Sequence, residues 1–324
     1  MRTFHLERPD TVAQAVRLLD SDPEAKVIAG GTDLVALMKE GIETPGRLVD
    51  VAGLDLAGIT RAPDGTITLG ALATNSDTAR TLRERTPVLS EAIRSGASAQ
   101  IRNMATTAGN LLQGVRCPYY RQTEFACNRR DPGSGCASIE GANPGQALFG
   151  TSSSCIAVHP SDMAVALLAL DAVVLVQGPD GRREIPLGSF HRLPGDTPER
   201  QTELRRAELI VGVRIGAQPR GRRSHYVKFR ERTSYAFALV SGAVVVDLDG
   251  RRVRSARIAL GGVAPRPWRA EGAERALVGR TFDAEAIEDA ADAATEGARP
   301  QRDNAYKVEL VRGVVRRALT EVAA

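Results

Sequence analysis

The 324-residue sequence predicts an α+β fold of more than one domain. Near the amino terminus, residues 26–39 are predicted to form a strand, a glycine turn and the start of a helix. Near the carboxy terminus, Asp249-Gly250 separates two apolar runs, which is a typical hairpin sequence. The last helical pattern places Val311, Val315 and Leu319 on one face. Strands and helices therefore occur throughout the chain, and the last third is predicted to be a small α+β domain.

The composition excludes several classes of protein. Apolar residues make up 43% and charged residues 25%, which is ordinary for a globular chain with sizeable cores. Aromatic residues are only 4% and the net charge of +4 is spread along the chain, so we expect no nucleic-acid partner. No apolar run is long enough to span a membrane, and the amino terminus lacks a signal-peptide core. We expect a cytoplasmic protein, or a periplasmic one exported with a signal-bearing partner.

The first candidate binding segment is the strand–turn–helix of residues 26–34. It consists of Lys26, Val27, Ile28, Ala29, Gly30, Gly31, Thr32, Asp33 and Leu34. Such a geometry directs backbone N–H groups towards an anion, and Asp33 can cap the helix that follows. The spacing is not G-x-G-x-x-G, so it is not a Rossmann fingerprint. Taken alone, the segment also fits an ordinary strand–helix turn.

A second candidate segment covers residues 100–110, which show little periodicity and many hydroxyl and amide groups. Taken alone, the segment fits a structural polar loop, and together with the glycine turn of residues 26–34 it also fits a second set of hydrogen-bond donors for a diphosphate. Further along, Asp162 precedes a very apolar helix. Two roles stay open for Asp162, namely a helix N-cap or an acceptor for ribose or ribityl hydroxyl groups.

Residues 114–160 contain all four cysteines, and a loop of this length without periodicity is uncommon inside a domain. The spacing is C-x9-C-x8-C-x18-C, without a CxxC pair or histidines at zinc spacing. A [4Fe–4S] cluster needs four converging thiolates, and nearby arginines would offset its negative charge. The thiols are Cys117, Cys127, Cys136 and Cys155, and the arginines are Arg116, Arg121, Arg129 and Arg130. The spacing alone also leaves open a zinc ion, disulfides or unlinked thiols.

Three stretches resemble one family: VIAGGTDLVALMK at 27–39, IRNMATTAGNLL at 101–112 and HPSD at 159–162. They are similar to the FAD-binding (medium) subunit of molybdenum hydroxylases, which include xanthine dehydrogenase, carbon monoxide dehydrogenase and bacterial aldehyde oxidoreductases. The stretch CPYYRQTEFACNRRDPGSGC, at 117–136, resembles the periplasmic aldehyde oxidoreductase branch. The FAD subunit of that branch carries an additional [4Fe–4S] cluster.

The resemblance implies a PCMH-type FAD-binding domain in two subdomains, residues 1–60 and 61–217. A small α+β domain, like the carboxy-terminal domain of CO dehydrogenase flavoproteins, would occupy residues 218–324. Residues 26–34 would wrap the FAD pyrophosphate, Asp162 would bind the sugar or ribityl portion, and Lys228 would approach the flavin. The second phosphate turn would consist of Thr106, Thr107, Gly109 and Asn110. The four cysteines would ligate the cluster.

The resemblance also implies a place in a complex. A large subunit would hold the molybdenum cofactor and oxidise the substrate, and a small subunit would relay electrons through two [2Fe–2S] clusters. This chain would accept the electrons on FAD and pass them to an external acceptor. We expect no molybdenum ligand and no general acid–base pair in it. The alternatives are a stand-alone flavin oxidoreductase and a zinc-stapled binding protein without redox activity.

Overall fold

The computed structural model describes residues 1–218 and 221–323. These residues form three separate β-sheets. The first sheet is parallel, with the third strand between the other two. Its region contains β1 (His5–Glu7), α1 (Val12–Ser21), β2 (Lys26–Ile28), α2 (Leu34–Lys39) and β3 (Arg47–Asp50). The α1 helix begins where the Thr11 hydroxyl accepts a hydrogen bond from the backbone N–H of Gln14.

The second sheet is antiparallel, in the order β4-β5-β8-β6-β7. Its region contains β4 (Ile59–Arg61), β5 (Ile67–Gly70), α3 (Asn75–Thr81), α4 (Pro87–Ser95), α5 (Ala99–Met104), α6 (Thr107–Leu111), α7 (Pro118–Arg121), α8 (Ala137–Glu140), α9 (Asp162–Ala169), β6 (Val173–Gly178), β7 (Gly181–Pro186), α10 (Leu187–Phe190) and β8 (Leu209–Ile215). Every residue of α9 is buried, which explains why its sequence is apolar on all sides.

The third sheet is also antiparallel, in the order β12-β11-β10-β9. Its region contains β9 (Arg223–Phe229), β10 (Val240–Asp249), β11 (Arg252–Gly261), β12 (Trp268–Arg269), α11 (Glu271–Leu277), α12 (Ala284–Ala293) and α13 (Tyr306–Ala323). The predicted hairpin is confirmed as β10–β11, with Gly250 at φ +59° in its turn. The predicted apolar face of α13 is buried against this sheet.

The structure differs from the sequence prediction at residues 100–110. The predicted polar loop is wrong there, because α5 and α6 occupy most of it. Both helices have fewer than two turns, so no periodicity shows, and the hydroxyls of Ser98 and Thr106 cap them. The predicted domain limits at 60/61 and 217/218 stay predictions. The predicted boundary segment 218–223 includes residues 219 and 220, which lie outside the described residues.

None of the helices in the described ranges is both long and apolar enough to cross a membrane.

Candidate functional site

The lining of a cleft of about 470 Å³ includes three segments that are far apart in sequence. The first is the predicted segment, in which every residue from Lys26 to Leu34 lines the cleft. The second is the start of α6, with Thr106 and Gly109. The third is residues 204–210, which lead into β8. The fold therefore brings together the two segments that the sequence analysis predicted as phosphate-binding turns.

Glycine is required at the first turn by a close approach of two backbones. A Cβ atom added to Gly30 would lie 1.8 Å from the carbonyl oxygen of Met104, at the end of α5. Gly31 has φ +66°, in the left-handed region that favours glycine. The two glycines thus allow the first turn to lie directly against the second segment.

The second segment is organised by its cap. The Thr106 hydroxyl accepts a hydrogen bond from the backbone N–H of Gly109 at 3.2 Å. Thr107 is fully buried and its hydroxyl donates to the carbonyl of Ala73, while Asn110 accepts a hydrogen bond from the Ser161 hydroxyl. Thr107 and Asn110 are not among the described residues that line the cleft. Their direct contact with a cofactor stays a prediction, and in this structure they support the turn.

Asp162 and Lys228 form a buried ion pair. Lys228 Nζ lies 2.8 Å from Asp162 Oδ2, and the Tyr226 hydroxyl donates to Asp162 Oδ1 at 2.6 Å. Burial, together with the Asp162 carboxylate, raises the pKa of Tyr226 well above its usual value. The N-cap of α9 is Ser161, whose hydroxyl accepts from the N–H of Ala164, so the capping role considered for Asp162 is wrong.

The Asp162–Lys228 pair is not among the described residues that line the cleft. Its predicted contact with the flavin therefore stays a prediction. What the structure does show is that the pair joins the start of α9 to β9, and so joins the second sheet's region to the third.

Residues 204–210 were missed by the sequence analysis. This segment includes Arg205 and Arg206, the only two arginines among the described residues of the cleft lining. Arg206 is oriented by a hydrogen bond from its guanidinium to the carbonyl of Asp20. The only available signal was a pair of arginines before an apolar strand. Nothing in the sequence indicates that this segment lies near residues 26–34.

Asp33 occupies the predicted N-cap position of α2, but its side chain makes no capping hydrogen bond within the described residues. Its carboxylate accepts hydrogen bonds from the backbone N–H of Gly114 at 2.6 Å, from Arg116 at 2.6 Å and from Arg121 at 3.0 Å. Two guanidinium groups are stronger donors to a carboxylate than a local backbone amide. Asp33 consequently ties the first turn of the cleft to the beginning of the cysteine segment, residues 114–160.

All four cysteines line one small cavity, which we call the cysteine pocket. All four are free thiols. The backbones of Cys127 and Cys136 are hydrogen-bonding partners in an isolated antiparallel β-bridge. Burial raises the pKa of Cys117 and Cys136. Tyr120 lines both the cysteine pocket and the cleft, so the two cavities share a wall.

Two polar side chains approach the sulfur atoms. Gln146 Nε2 lies 3.4 Å from Cys117 Sγ, and Arg129 Nη2 lies 3.8 Å from Cys155 Sγ. Arg129 is 9% exposed, and no ion pair joins it to a carboxylate within the described residues. Its Nε atom is buried and has no hydrogen-bond partner among the described residues. A buried guanidinium without an anion is costly, so the pocket has an unmet requirement for negative charge.

Among residues 1–218 and 221–323, no three His, Cys, Asp or Glu side chains are grouped so that they could hold one metal ion. Zn²⁺ binds thiolates at about 2.3 Å, which places the ligand sulfurs about 4 Å apart. The cysteine pocket is therefore a poor match for the single zinc ion considered above.

Comparison with known proteins identifies the architecture. Residues 2–218 match the FAD binding domain in molybdopterin dehydrogenase, and residues 224–322 match the CO dehydrogenase flavoprotein C-terminal domain. The chain is 47% identical to the aldehyde oxidoreductase FAD-binding subunit PaoB of Escherichia coli strain K12, over 100% of this chain and 99% of that protein. It is 29% identical to the carbon monoxide dehydrogenase medium chain of Hydrogenophaga pseudoflava, over 98% and 96% of the two chains.

A solved structure agrees with these matches. Carbon monoxide dehydrogenase from Hydrogenophaga pseudoflava superposes with a TM-score of 0.78 at 29% identity, covering 99% of this chain and 97% of that chain. The predicted fold is confirmed, with an FAD-binding domain followed by the flavoprotein carboxy-terminal domain. The chain therefore belongs to the FAD-binding, or medium, subunits of the molybdenum hydroxylase family of oxidoreductases.

Proposed function

We propose that this chain is the electron-transfer subunit of a molybdenum-dependent aldehyde oxidoreductase. The observation that carries this proposal is the cleft, where the two predicted phosphate-binding turns meet. The identity of 47% to an aldehyde oxidoreductase subunit favours aldehydes over the other substrates of the family. The partners would be a large subunit with the molybdenum cofactor and a small subunit with two [2Fe–2S] clusters. Electrons would leave to an external acceptor.

FAD, when bound, supplies the redox chemistry of this subunit. The chain's own residues bind and orient it. Because Gly30 has no side chain, the first turn lies directly against the end of α5, and the backbone of residues 29–33 would hold the diphosphate together with Thr106 and Gly109. Arg205 and Arg206 place positive charge beside the same cleft. Apolar side chains such as Leu37 and Leu72 contribute to the same lining, next to polar ones such as Gln113.

We also propose that the four cysteines hold a [4Fe–4S] cluster. In such a cluster each thiolate binds a different iron, so the ligand sulfurs need not lie as close together as around one ion. The donor set of the cysteine pocket is four thiols, without a carboxylate or an imidazole in its lining. The Arg129 guanidinium beside Cys155, which has no carboxylate partner in the described part of the chain, fits an anionic group at this place. These residues suit a thiolate-bound cluster in charge and in donor chemistry.

The test is the cofactor content of the complex, purified anaerobically after co-expression with its partner subunits. A Cys136→Ser variant is compared with the unchanged protein and with Ser153→Ala, an exposed serine in the same segment. We expect FAD in all three, and a loss of about four irons and four sulfides in Cys136→Ser alone.

Three outcomes are distinct. Unchanged iron in Cys136→Ser contradicts the cluster, and leaves an FAD subunit without one. Absence of FAD from the purified chain contradicts the electron-transfer function itself. Failure of the chain to purify with any other subunit, together with flavin-dependent turnover alone, favours the stand-alone oxidoreductase. The compartment stays a prediction, which fractionation of cells expressing the whole complex would test.

A further inference from the structure

The carboxy-terminal domain reaches the cysteine pocket through a latch, which we define as residues 299–307. It runs beside residues 140–148 of the cysteine segment. The backbone N–H of Arg299 donates to the carbonyl of Leu148 at 2.8 Å. Asp303 and Asn143 exchange two hydrogen bonds, of 3.0 and 3.1 Å. The latch is therefore hydrogen-bonded along its length to the chain that carries the thiols.

The centre of the latch is a buried lysine. Lys307 is 0% exposed, and its Nζ atom donates to the carbonyls of Gly145 at 3.2 Å, Gln146 at 2.8 Å and Gly262 at 2.5 Å. No carboxylate of the described part of the chain forms an ion pair with it. Asn304, also 0% exposed, donates to the carbonyl of Gln146 at 3.0 Å. Two buried side chains of the latch thus hold the same peptide unit.

The peptide carbonyl held in this way is that of Gln146, whose side chain contacts the thiol of Cys117. Gln146 is 4% exposed, and its amide lies 3.4 Å from Cys117 Sγ. Its backbone is fixed by Lys307 and Asn304, and the following residue is fixed by a hydrogen bond from Ala147 N–H to the carbonyl of Ile156. The direction of the amide towards Cys117 therefore depends on residues of the carboxy-terminal domain.

We propose that Lys307 and Asn304 are positioning residues for the cysteine pocket, and that they hold Gln146 so that its amide donates to the sulfur of Cys117. The carboxy-terminal domain then completes a site whose four thiols all come from the preceding domain. The expected effect of these residues on a cluster rests on the proposed function. Their expected effect on the reactivity of the thiols does not depend on it.

Simple stabilisation is a poor account of Lys307. A buried ammonium group without a carboxylate loses its hydration, and an apolar residue of similar size is often equally or more stabilising. The ammonium group instead fixes the orientation of the backbone around it, because three carbonyls from two segments accept hydrogen bonds from its one nitrogen atom. An N–H group that donates to a ligating sulfur also raises the reduction potential of an iron–sulfur cluster.

The first experiment measures thiol reactivity in the full-length chain with flavin bound and iron removed by a chelator. Cys117 is alkylated with iodoacetamide and followed by mass spectrometry, with Cys136 as the internal reference. We expect Lys307→Met to speed Cys117 alkylation about tenfold, because the loss of the latch bonds lets residues 145–147 open. Asn304→Ala should act in the same direction and serves if Lys307→Met fails to fold. Lys39→Met, a surface control, should change nothing.

The second experiment separates positioning from mere structural support. The reduction potential of the cluster is measured by spectroscopic titration in the complex carrying Gln146→Leu or Lys307→Met. Both should shift the potential to a more negative value, whereas Gln177→Leu, a control on β6, should not. The inference is overturned if the rate of Cys117 alkylation is unchanged in both Lys307→Met and Asn304→Ala. It is also overturned if the reduction potential is unchanged in both Gln146→Leu and Lys307→Met. A chain that never binds iron contradicts the proposed cluster instead, and the alkylation rates then decide the inference alone.

Discussion

The cleft and the cysteine pocket are built in opposite ways. The cleft has a volume of about 470 Å³, and its first turn is a stretch of backbone that needs glycine at Gly30. The cysteine pocket has a volume of about 10 Å³, and its walls are the side chains of the thiols, Tyr120 and Arg129. A site made by backbone is determined by the fold, while a site made by side chains depends on their identity. The cleft is also large enough in this structure for a ligand, whereas the pocket must widen to take one.

The two sites are nevertheless neighbours. Asp33 lines the cleft and binds the beginning of the cysteine segment, and Tyr120 lines both cavities. His159 and His191 form a buried pair with ring centroids 4.2 Å apart. His191 binds the carbonyl of Leu111 in α6, and His159 follows Cys155 by four residues. Substitutions in the cleft and in the cysteine segment should therefore show which properties of the two sites are independent and which are coupled.

The largest effect is expected from Gly30→Ala, which should lower flavin binding at the cleft without changing the cysteine pocket. The new methyl group would overlap the carbonyl of Met104, so the two backbones must separate at a cost of about 3 kcal/mol. That cost lowers flavin affinity by about a hundredfold. The ratio of flavin absorbance to protein measures it. Gly46→Ala is the matched control, because no described residue other than its two chain neighbours lies within 4 Å of the added methyl. Full flavin content in Gly30→Ala would contradict the close approach.

Asp33→Asn should break the link between the two sites. It leaves the partly buried Arg116 without a carboxylate partner among the described residues and Arg121 with that of Glu40 alone, which costs about 2 kcal/mol. We expect both flavin and iron content to fall together, and urea unfolding to show the loss of stability. Asp180→Asn, in an exposed turn, should leave all three unchanged. A variant that loses flavin but retains iron would show that the sites are independent.

The histidine pair predicts sensitivity to acid. Burial lowers the pKa of His191 from 6.5 to about 4, so between these pH values the unfolded chain binds a proton that the folded chain does not. The free energy of unfolding therefore falls as pH falls through this window, by at most about 1.4 kcal/mol per pH unit from this group. Urea unfolding between pH 7 and pH 4 should show a shallower dependence for His191→Gln. His5→Gln, at an exposed position, should retain the full slope.

Arg129→Met is expected to have the smallest effect, and its sign should depend on the contents of the cysteine pocket. In iron-free protein it removes a buried charge without a carboxylate partner, and should stabilise the fold by about 1 kcal/mol. In iron-loaded protein it removes a counter-charge, so a chelator should extract iron faster. Thermal melting and iron release measure the two effects, with the exposed Arg83→Met as control. An effect of the same sign in both states would contradict an anionic pocket.

The sequence by itself determined the features that depend on nearby residues. Residues 26–34 carry their own turn chemistry, and each of them lines the cleft, while their contact with a cofactor stays a prediction. Strong periodicity predicted α13, and Asp249-Gly250 predicted the β10–β11 hairpin. The confinement of all four thiols to one segment predicted a common site, because a shared loop restricts how far apart they can lie.

The tertiary structure alone decided the contacts between distant segments. Asp33 stands at the N-cap of α2, but its carboxylate binds residues 114–121 and not its own helix, because the fold brings two arginines to it. Arg205 and Arg206 line the cleft from a segment about 175 residues away. Lys307 holds Gln146 across 161 residues. Periodicity and turn chemistry report local preferences, whereas such partners are chosen by the packing of whole domains, in which burial makes each unsatisfied polar group costly.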